Sequence, residues 1–170
     1  MDPESAEAIH PNNRKRVIRA LEFYQETGRK ISEHNAKEQM RTSPYNFAYF
    51  VLNDERSHLY KRIDARVDKM IEDGLEAEVR RLKEMGCTKD MVAMQGIGYK
   101  EMLSYLDGSY SLEEAVYIIK RETRHFAKRQ ITWFKRERDV IWLNKNEFDY
   151  KNEAILAYMI KILKEKAIIS

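Results

Sequence analysis

A long amphipathic helix is predicted between Ser111 and Arg138, and this stretch constrains the fold more than any other. Ser111 stands three residues before Glu114, the capping-box spacing in which each side chain bonds to the other residue's backbone N–H. Apolar residues then recur at helical spacing, which predicts one buried face. That face comprises Leu112, Val116, Ile119, Phe126 and Trp133, with Ile131 and Phe134 beside them, and the polar Thr123 and Gln130 interrupt it.

The other flank of this predicted helix is strongly basic. Between Lys120 and Arg138, eight basic residues stand against two acidic ones, which leaves six positive charges. Such a face repels itself unless an anion binds to it, and phosphate is the commonest candidate; the alternative is a plainly solvated helix face. The run Lys128-Arg129-Gln130 followed by Trp133 combines cations, an amide and a stacking ring, which favours a nucleic-acid partner.

Composition excludes several classes of protein. A chain of 170 residues can bury a real core, and its net charge of only +3 makes the basicity local. Cys87 is the single cysteine, which excludes an internal disulfide, argues against a zinc site and suits a reducing compartment. Because no apolar run reaches the roughly 18 residues of a membrane span and no signal peptide is evident, we expect a soluble, cytoplasmic chain without a membrane partner.

The remaining pattern predicts helices joined to two short strands. The apolar run from Phe47 to Leu52 is typical of a strand buried on both faces, and Asn53 or Asp54 is expected to cap the helix that follows. Residues 140–143 form the second strand candidate, and a strand that leads directly into a capped helix is typical of α/β folds. A helix is predicted from Asn12 or Asn13 to Gly28, with an inner face of Val17, Ala20, Leu21 and Tyr24, and a second from Ser32 to Met40 with Ser32 as its cap. Further helices are predicted over 55–71, over 75–86 and within 91–106. The last is predicted over 151–166, with a buried face of Ile155, Leu156, Met159, Ile162 and Leu163.

Two further groups of cations stand at positions where a structural role does not require them. Lys15, Arg16 and Arg19 lie in the first turns of a predicted helix, where the helix dipole is positive; they indicate either an anionic partner or a solvated surface. Arg62 and Arg66 are one turn apart and border the apolar face of their helix. They either cover the surface with their aliphatic stems or clamp a diphosphate.

The segment Gln95-Gly96-Ile97-Gly98-Tyr99-Lys100 is a candidate for close contact with a ligand. Its two glycines let the backbone approach a partner closely, while the following tyrosine and lysine add a ring and a charge. It is not a dinucleotide-binding fingerprint, because the third glycine and the preceding strand are missing. The sequence also contains no Gly-x-x-x-x-Gly-Lys-Ser/Thr loop.

Taken in order, several stretches resemble the C-terminal half of the tRNA dimethylallyltransferase (tRNA isopentenyltransferase) family: residues 10–22, 62–70, 74–79, 97–102 and 128–133. The resemblance implies an α/β, P-loop-kinase-like core with a helical insertion that clasps the tRNA anticodon stem-loop. It implies transfer of a dimethylallyl group from dimethylallyl diphosphate to N6 of the adenine just 3′ of the anticodon, with the base flipped out of its stack. Within that fold this chain is expected to be predominantly α-helical with about two short parallel strands; residues 1–44 are the trailing part of the insertion and residues 45–170 are the end of the core.

The same resemblance assigns roles to individual residues. Arg66 matches the arginine that helps to hold the diphosphate. The residues that match tRNA-contacting stretches are Lys15, Arg16, Arg19, Gln95, Gly96, Ile97, Gly98, Tyr99, Lys100, Lys128, Arg129, Gln130, Trp133 and Lys135.

The resemblance covers only one half of the family's pattern. The phosphate-binding loop, the aspartate that accepts the N6 proton and the groups that position Mg²⁺ belong to the family's first half, so we expect a truncated chain that is inactive by itself and open to self-association through its exposed apolar faces. Three interpretations remain as alternatives: a non-catalytic helical RNA-binding module, a helical interaction domain with solvated charges, and a relative that acts on free adenine nucleotides.

Overall fold

The computed structural model describes residues 2–170, which divide into two compact units, one ending at Asn46 and the other beginning at Phe47. The first unit contains three helices: α1 (Pro3–Ala8), α2 (Arg14–Thr27) and α3 (Ile31–Met40). As predicted, Asn13 caps α2, and the helix ends at Gly28 in the left-handed conformation that glycine accepts readily. The predicted buried face of α2 is wrong, because none of its residues is buried within the described part of the chain.

Ser32 does not cap α3, contrary to the sequence prediction. The helix begins one residue earlier, after Lys30, and no side chain caps it. The Ser32 hydroxyl and N–H instead donate to the Asp2 carboxylate, at 2.7 and 3.0 Å, and Asp2 also caps α1 through Ser5. Burial raises the pKa of Asp2, but the hydrogen bonds from Ser32 and Ser5 outweigh that effect and hold the pKa well below its ordinary value.

The second unit contains a small parallel sheet with helices around it. Strands β1 (Tyr49–Asn53) and β2 (Val140–Asn144) pair in parallel with Val51 opposite Trp142, which confirms the predicted pair of short parallel strands. Around them lie α4 (Arg56–Glu72), α5 (Leu75–Glu84), α6 (Tyr99–Leu106), α7 (Leu112–Phe134) and α8 (Asn152–Glu165), with 3₁₀ turns at Val92–Gln95 and Lys145–Phe148.

The core of the second unit lies between α4, α5, α6 and α7. Helices are held together by apolar side chains at helical spacing, and the most completely buried of these have less than 2% of their surface exposed. The core residues are Val67, Leu75, Val79, Met94, Met102, Leu103, Ala115 and Ile119. This arrangement confirms the apolar faces that the sequence predicts for α4, α5 and the first half of α7.

Three predictions of burial and helix capping are wrong. Leu52 is 62% exposed rather than buried, because it lines an open pocket beside the sheet. Neither Asn53 nor Asp54 caps α4: the Asn53 amide donates across the sheet to Asn144, and Glu55 occupies the cap position without a side-chain bond. In α8, Ile155 is buried but Leu156 is largely exposed.

Helix α7 has the predicted start but a shorter span than predicted. The capping box forms in both directions, with 2.8 Å from Ser111 N to the Glu114 carboxylate and 3.2 Å from Glu114 N to the Ser111 hydroxyl. The helix ends at Phe134, because the chain turns through Asp139, whose φ is +58°, to enter β2. Phe126 and Trp133 belong to the predicted buried face, yet they are 46% and 54% exposed.

Candidate functional site

The basic residues of α7 fall into two groups with different electrostatic surroundings. In the first half of the helix, Lys120 bonds to Asp68 at 2.6 Å and Arg124 bonds to Asp64 at 2.5 Å. The two aspartates are one turn apart on α4, so they form a ladder of ion pairs between the helices. These two cations are therefore paired with acidic residues of α4, and the excess positive charge of α7 lies in its C-terminal half.

Lys100, the last residue of the segment 95–100, lies near the charged side chains in the middle of α7. Glu122 accepts from Arg121 at 2.9 Å and lies 3.7 Å from the His125 ring nitrogen. The hydrogen bond from Arg121 is the main reason that the pKa of Glu122 is lowered, and the charge of Lys100 contributes to the same shift. Lys100 at the start of α6 therefore shares an electrostatic neighbourhood with α7.

The C-terminal half of α7 carries an open basic groove of about 520 Å³. Arg129 lies over the Phe126 ring, with 5.9 Å from the guanidinium carbon to the ring centroid. Neither Lys128 nor Arg136 forms an ion pair with any described residue. We call this surface the α7 groove, and the residues that line it are His125, Lys128, Arg129, Thr132, Trp133 and Arg136.

A second pocket, of about 310 Å³, lies beside the carboxyl ends of the two parallel strands. In open α/β sheets this edge is the usual place for a ligand. Gln130 faces this pocket rather than the α7 groove, so the stretch that the sequence treats as one site divides between two sides of the helix. Two cationic side chains, Arg62 and Lys145, line the pocket, with apolar walls that include Leu59, Ile131, Phe134 and Trp142.

Asp54 anchors Arg62 at the rim of this pocket. The Asp54 side chain is only 6% exposed, and its carboxylate oxygens lie 3.9 Å from Arg62 Nη1 and 3.8 Å from His58 Nδ1. Burial, together with a hydrogen bond to Asp54, raises the pKa of Tyr150. Arg66 follows Arg62 by one turn of α4; it is exposed, has no ion pair with a described residue and does not line the pocket.

The segment from Gln95 to Lys100 is held in one conformation by internal bonds. The Gln95 amide donates to the Lys89 carbonyl, and the Tyr99 hydroxyl donates to Glu78 at 2.6 Å. That bond is the main reason that the pKa of Tyr99 is raised, with burial second. Gln95 and Tyr99, which the sequence analysis predicts as ligand contacts, thus form hydrogen bonds within the fold.

A buried carboxylate fixes the turn at the centre of this segment. Gly98 has φ +104°, a conformation that favours glycine, and its N–H donates at 2.8 Å to Glu101, which is 4% exposed. The other Glu101 oxygen lies 3.4 Å from Lys100 Nζ. Gly96 is exposed and Ile97 is half-buried against the core, so the outward features of the segment are the Gly96 backbone and the Lys100 ammonium.

The remaining predicted cations lie outside both sites. Lys15, Arg16 and Arg19 are exposed on the first two turns of α2, where no acidic residue offsets them, and they form no ion pair with a described residue. Lys135 is exposed at the C-cap of α7 and lines neither pocket. Sequence reasoning did not single out His125 or Thr132 as contact residues, and it counted Arg136 only among the basic residues of the predicted helix. The groove brings these three together with Lys128 and Trp133, although Arg136 lies two residues beyond the end of α7.

Metal-binding side chains do not cluster in the part of the chain that the structure describes. Among residues 2–170, no group of three or more histidine, cysteine, aspartate or glutamate side chains could hold a metal ion. The buried Asp54 carboxylate already faces Arg62, His58 and Tyr150, which leaves it a poor ligand for a divalent cation. Across the same residues, no helix is both long and apolar enough to cross a membrane.

Comparisons with known proteins find relatives whose names describe transferases that act on tRNA. The chain is 60% identical over 169 residues to the tRNA dimethylallyltransferase of Lachnoclostridium phytofermentans. The aligned region covers 99% of this chain and 53% of that protein. It matches the crystal structure of the full-length tRNA isopentenylpyrophosphate transferase from Bacillus halodurans with a TM-score of 0.68 and 44% identity, over 98% of this chain and 50% of that one. A eukaryotic dimethylallyltransferase solved while acting on tRNA matches with a TM-score of 0.70 and 33% identity, over 84% of this chain and 38% of that one.

These matches confirm the α/β, P-loop-kinase-like fold class that the sequence predicts for the parent core. The chain spans about half the length of the curated relatives it matches. The sequence profile described as IPP transferase matches residues 1–137, which is most of the chain. The chain therefore belongs to the IPP transferase family.

Proposed function

We propose that this chain supplies tRNA contacts and a diphosphate-binding arginine to a tRNA dimethylallyltransferase. The reaction breaks the C–O bond between the dimethylallyl group and diphosphate, forms a C–N bond to N6 of the adenine just 3′ of the anticodon, and releases a proton and pyrophosphate. The observation that carries the proposal is 60% identity to a protein of that name over 99% of this chain. Lys128 and Arg136 in the α7 groove form no ion pair with a described residue, which supports an RNA partner independently.

The tRNA contacts are proposed on three surfaces. They are the exposed cations of α2 (Lys15, Arg16 and Arg19), the turn from Gln95 to Lys100, and the C-terminal half of α7 with Lys128, Arg129, Gln130, Trp133 and Lys135. Residues 1–44 then belong to the insertion that clasps the anticodon stem-loop, and residues 45–170 belong to the core. A tRNA substrate also makes the cytoplasm the expected compartment.

Arg66 is proposed to bind the diphosphate. Its guanidinium is exposed on α4 and has no ion pair with a described residue, so it is available to a ligand, whereas Arg62 lies near the Asp54 carboxylate. As the C–O bond breaks, negative charge grows on the leaving pyrophosphate, and a guanidinium can offset it with two parallel hydrogen bonds. A role of this kind affects the chemical step more than tRNA binding.

The 170-residue polypeptide is proposed to be inactive when tested alone. Its sequence contains no Gly-x-x-x-x-Gly-Lys-Ser/Thr loop to hold a diphosphate. Mg²⁺ is expected in the complete enzyme, where it would offset phosphate charge, and no step proposed here passes through it.

The test is a chimera in which this chain replaces the matching half of the Lachnoclostridium phytofermentans enzyme. We expect the chimera to transfer labelled dimethylallyl groups to tRNA, and the 170-residue chain alone to transfer none. In the chimera, Arg66→Ala is expected to slow transfer by on the order of 10²-fold while tRNA affinity stays within a few fold. Arg81→Ala, which removes an exposed cation from α5, is the matched control and should change neither quantity.

The outcomes separate the proposal from its alternative. A folded chimera that binds tRNA but transfers nothing would instead support a non-catalytic RNA-binding module. Turnover by the isolated chain, or equal losses of transfer and tRNA affinity in Arg66→Ala, would contradict the roles proposed here.

A further inference from the structure

We infer that Asp107 is a specificity-determining residue, which pairs with Lys83 and Lys89 and so withholds both ammonium groups from the phosphates of unrelated RNA. This inference rests on the proposed contact between tRNA and the turn from Gln95 to Lys100. It adds a residue that limits RNA binding instead of contributing a contact. Neither the sequence pattern nor the family resemblance gives Asp107 or its two lysines a role.

The Asp107 carboxylate binds two lysines that come from different parts of the chain. One oxygen lies 2.6 Å from Lys83 Nζ, in the last turn of α5, and the other lies 2.7 Å from Lys89 Nζ, in the loop after α5. Lys83 Nζ also donates to the Leu106 carbonyl at 3.1 Å. Such short contacts are typical of charge-assisted hydrogen bonds. Both ammonium groups are therefore held at the C-terminal end of α6.

Most of the positive charge at this end of α6 is offset. Asp107 is the C-cap of α6, where the aligned peptide dipoles add the equivalent of about half a negative charge. The carboxylate and the dipole together oppose the two lysine charges. Hydrogen bonds from Lys83, and next from Lys89, lower the pKa of Asp107 to about 2. The carboxylate therefore stays ionised near neutral pH and remains available to both lysines.

Lys89 adjoins the turn that is proposed to contact tRNA. Its carbonyl accepts a hydrogen bond from the Gln95 amide, which places the Lys89 backbone beside the start of that turn. The side chains of Lys83, Lys89 and Asp107 are 41%, 43% and 37% exposed, so a phosphate can reach this cluster from solvent. Without the Asp107 carboxylate, the two ammonium groups would be available to any RNA phosphate near the turn.

The effect on specificity follows from the orientation of the RNA. Phosphate contacts carry no sequence information. An RNA that makes specific contacts is held in one orientation, so a released lysine contributes only if a phosphate already lies near it. An unrelated RNA can take whichever orientation brings a phosphate to the released charge. Asp107 is therefore expected to reduce the binding of unrelated RNA more than the binding of tRNA.

A purely structural role for Asp107 predicts a different result. Through Lys89 and Gln95, the same carboxylate would then only hold the turn in the conformation that contacts tRNA. Its removal would weaken tRNA binding and leave the affinity for unrelated RNA unchanged. Pairing that withholds the lysines instead predicts a gain of affinity for unrelated RNA, so the direction of the change separates the two roles.

The experiment measures RNA binding by the chain at several salt concentrations, using fluorescence anisotropy. The two ligands are a fluorescein-labelled tRNA transcript and an unrelated RNA duplex with the same label. Asp107→Asn keeps the size of the side chain and removes its charge. It should bind the duplex more tightly, with a log–log salt slope steeper by about 0.7–0.9, the contribution of one further cation. The gain for tRNA should be smaller, so the ratio of the two affinities should fall.

Two further variants show whether the lysines cause the gain. The triple variant Lys83→Gln/Lys89→Gln/Asp107→Asn should lose the added slope, because the released cations are absent. Glu165→Gln on α8 is the matched control. It also removes a carboxylate from a lysine, Lys161 at 3.8 Å, but it lies outside the proposed RNA contacts and should leave affinity and slope unchanged.

The results decide the inference once circular dichroism has confirmed the folding of each variant. Tighter duplex binding by Asp107→Asn, with a steeper slope that the triple variant loses, supports it. Unchanged or weaker duplex binding, a larger gain for tRNA than for the duplex, or an equal gain in Glu165→Gln overturns it. If an overturning result accompanies dimethylallyl transfer by the chimera, the inference fails and the proposed function stands. If Asp107→Asn behaves as inferred but the chimera transfers nothing, the proposed function fails alone.

Discussion

From the ion-pair ladder between α4 and α7 we predict a coupling free energy between Arg124 and Asp64. Arg124 and Asp64 are 2.5 Å apart, and their side chains are 24% and 38% exposed. Partial exposure screens the pair, so we expect a coupling of about 0.5–1 kcal/mol in the free energy of unfolding. The Lys120–Asp68 pair should contribute less, because its aspartate is more exposed.

A double-mutant cycle measures this coupling directly. The four proteins are the wild type, Asp64→Asn, Arg124→Gln and the double variant, and each is unfolded in urea. Both tryptophans, Trp133 and Trp142, lie in the second unit, so their fluorescence follows the unit that contains the ion pair. For a chain of this length, 1 kcal/mol also corresponds to a shift in Tm of about 2–4 °C.

The same variants separate structural cations from cations that are available to RNA. Because Arg124 is already neutralised by Asp64, Arg124→Gln should lower tRNA affinity far less than Arg129→Ala, whose guanidinium lies in the α7 groove. A coupling below about 0.2 kcal/mol would refute the reasoning. So would equal losses of tRNA affinity in the two variants, since Arg124 would then be as available to phosphate as Arg129.

Two further predictions concern the segment 95–100 and its surroundings. In Gly98→Ala the added methyl group meets Leu75 and Met70 at ordinary distances of 3.9 and 4.0 Å, so its cost of about 1–3 kcal/mol should come from the backbone conformation; urea unfolding measures it, and an unchanged midpoint would contradict it. Hydrogen bonds from Lys83, and next from Lys89, lower the pKa of Asp107 to about 2 from its ordinary value of 3.8. Because the folded-state pKa is the lower one, this stabilisation is present above pH 4 and is lost as the pH falls towards 2. The free energy of unfolding should therefore fall more steeply over that range in the wild type than in Asp107→Asn, and parallel pH profiles would contradict the assignment.

Sequence reasoning succeeded where the determining interactions are local. The capping box at Ser111, the end of α2 at Gly28 and the apolar faces of α4 and α5 depend on residues within a turn or two of each other. The parallel pairing of β1 and β2 could be inferred because the family resemblance supplied the topology.

Sequence reasoning failed where a distant partner competes for a group. Ser32 bonds to Asp2, thirty positions away, instead of capping its own helix. The Asn53 amide bonds across the sheet to Asn144 for a similar reason. The ladder from α4 also divides the basic residues of α7, and periodicity alone cannot show which cations a neighbouring helix neutralises.

The groove itself was only partly predictable. A stripe of apolar residues at helical spacing normally indicates burial, so the sequence placed Phe126 and Trp133 in the core. The structure leaves both exposed, one beneath Arg129 and the other in the α7 groove. An aromatic residue within a cluster of cations is therefore as consistent with a ligand-binding face as with a core face.

The most direct test of the account is the salt dependence of tRNA binding by this chain. The central claim is that the cations in the C-terminal half of α7 serve a polyanion, whereas those in the first half serve the fold. The logarithm of the association constant should fall linearly with the logarithm of salt concentration, and the variant Lys128→Ala/Arg129→Ala/Arg136→Ala should reduce the slope by about 0.7–0.9 for each cation removed. The variant Lys120→Gln/Arg124→Gln should leave the slope unchanged. Salt-independent binding, or the same loss of slope for each cation removed in both variants, would contradict the claim.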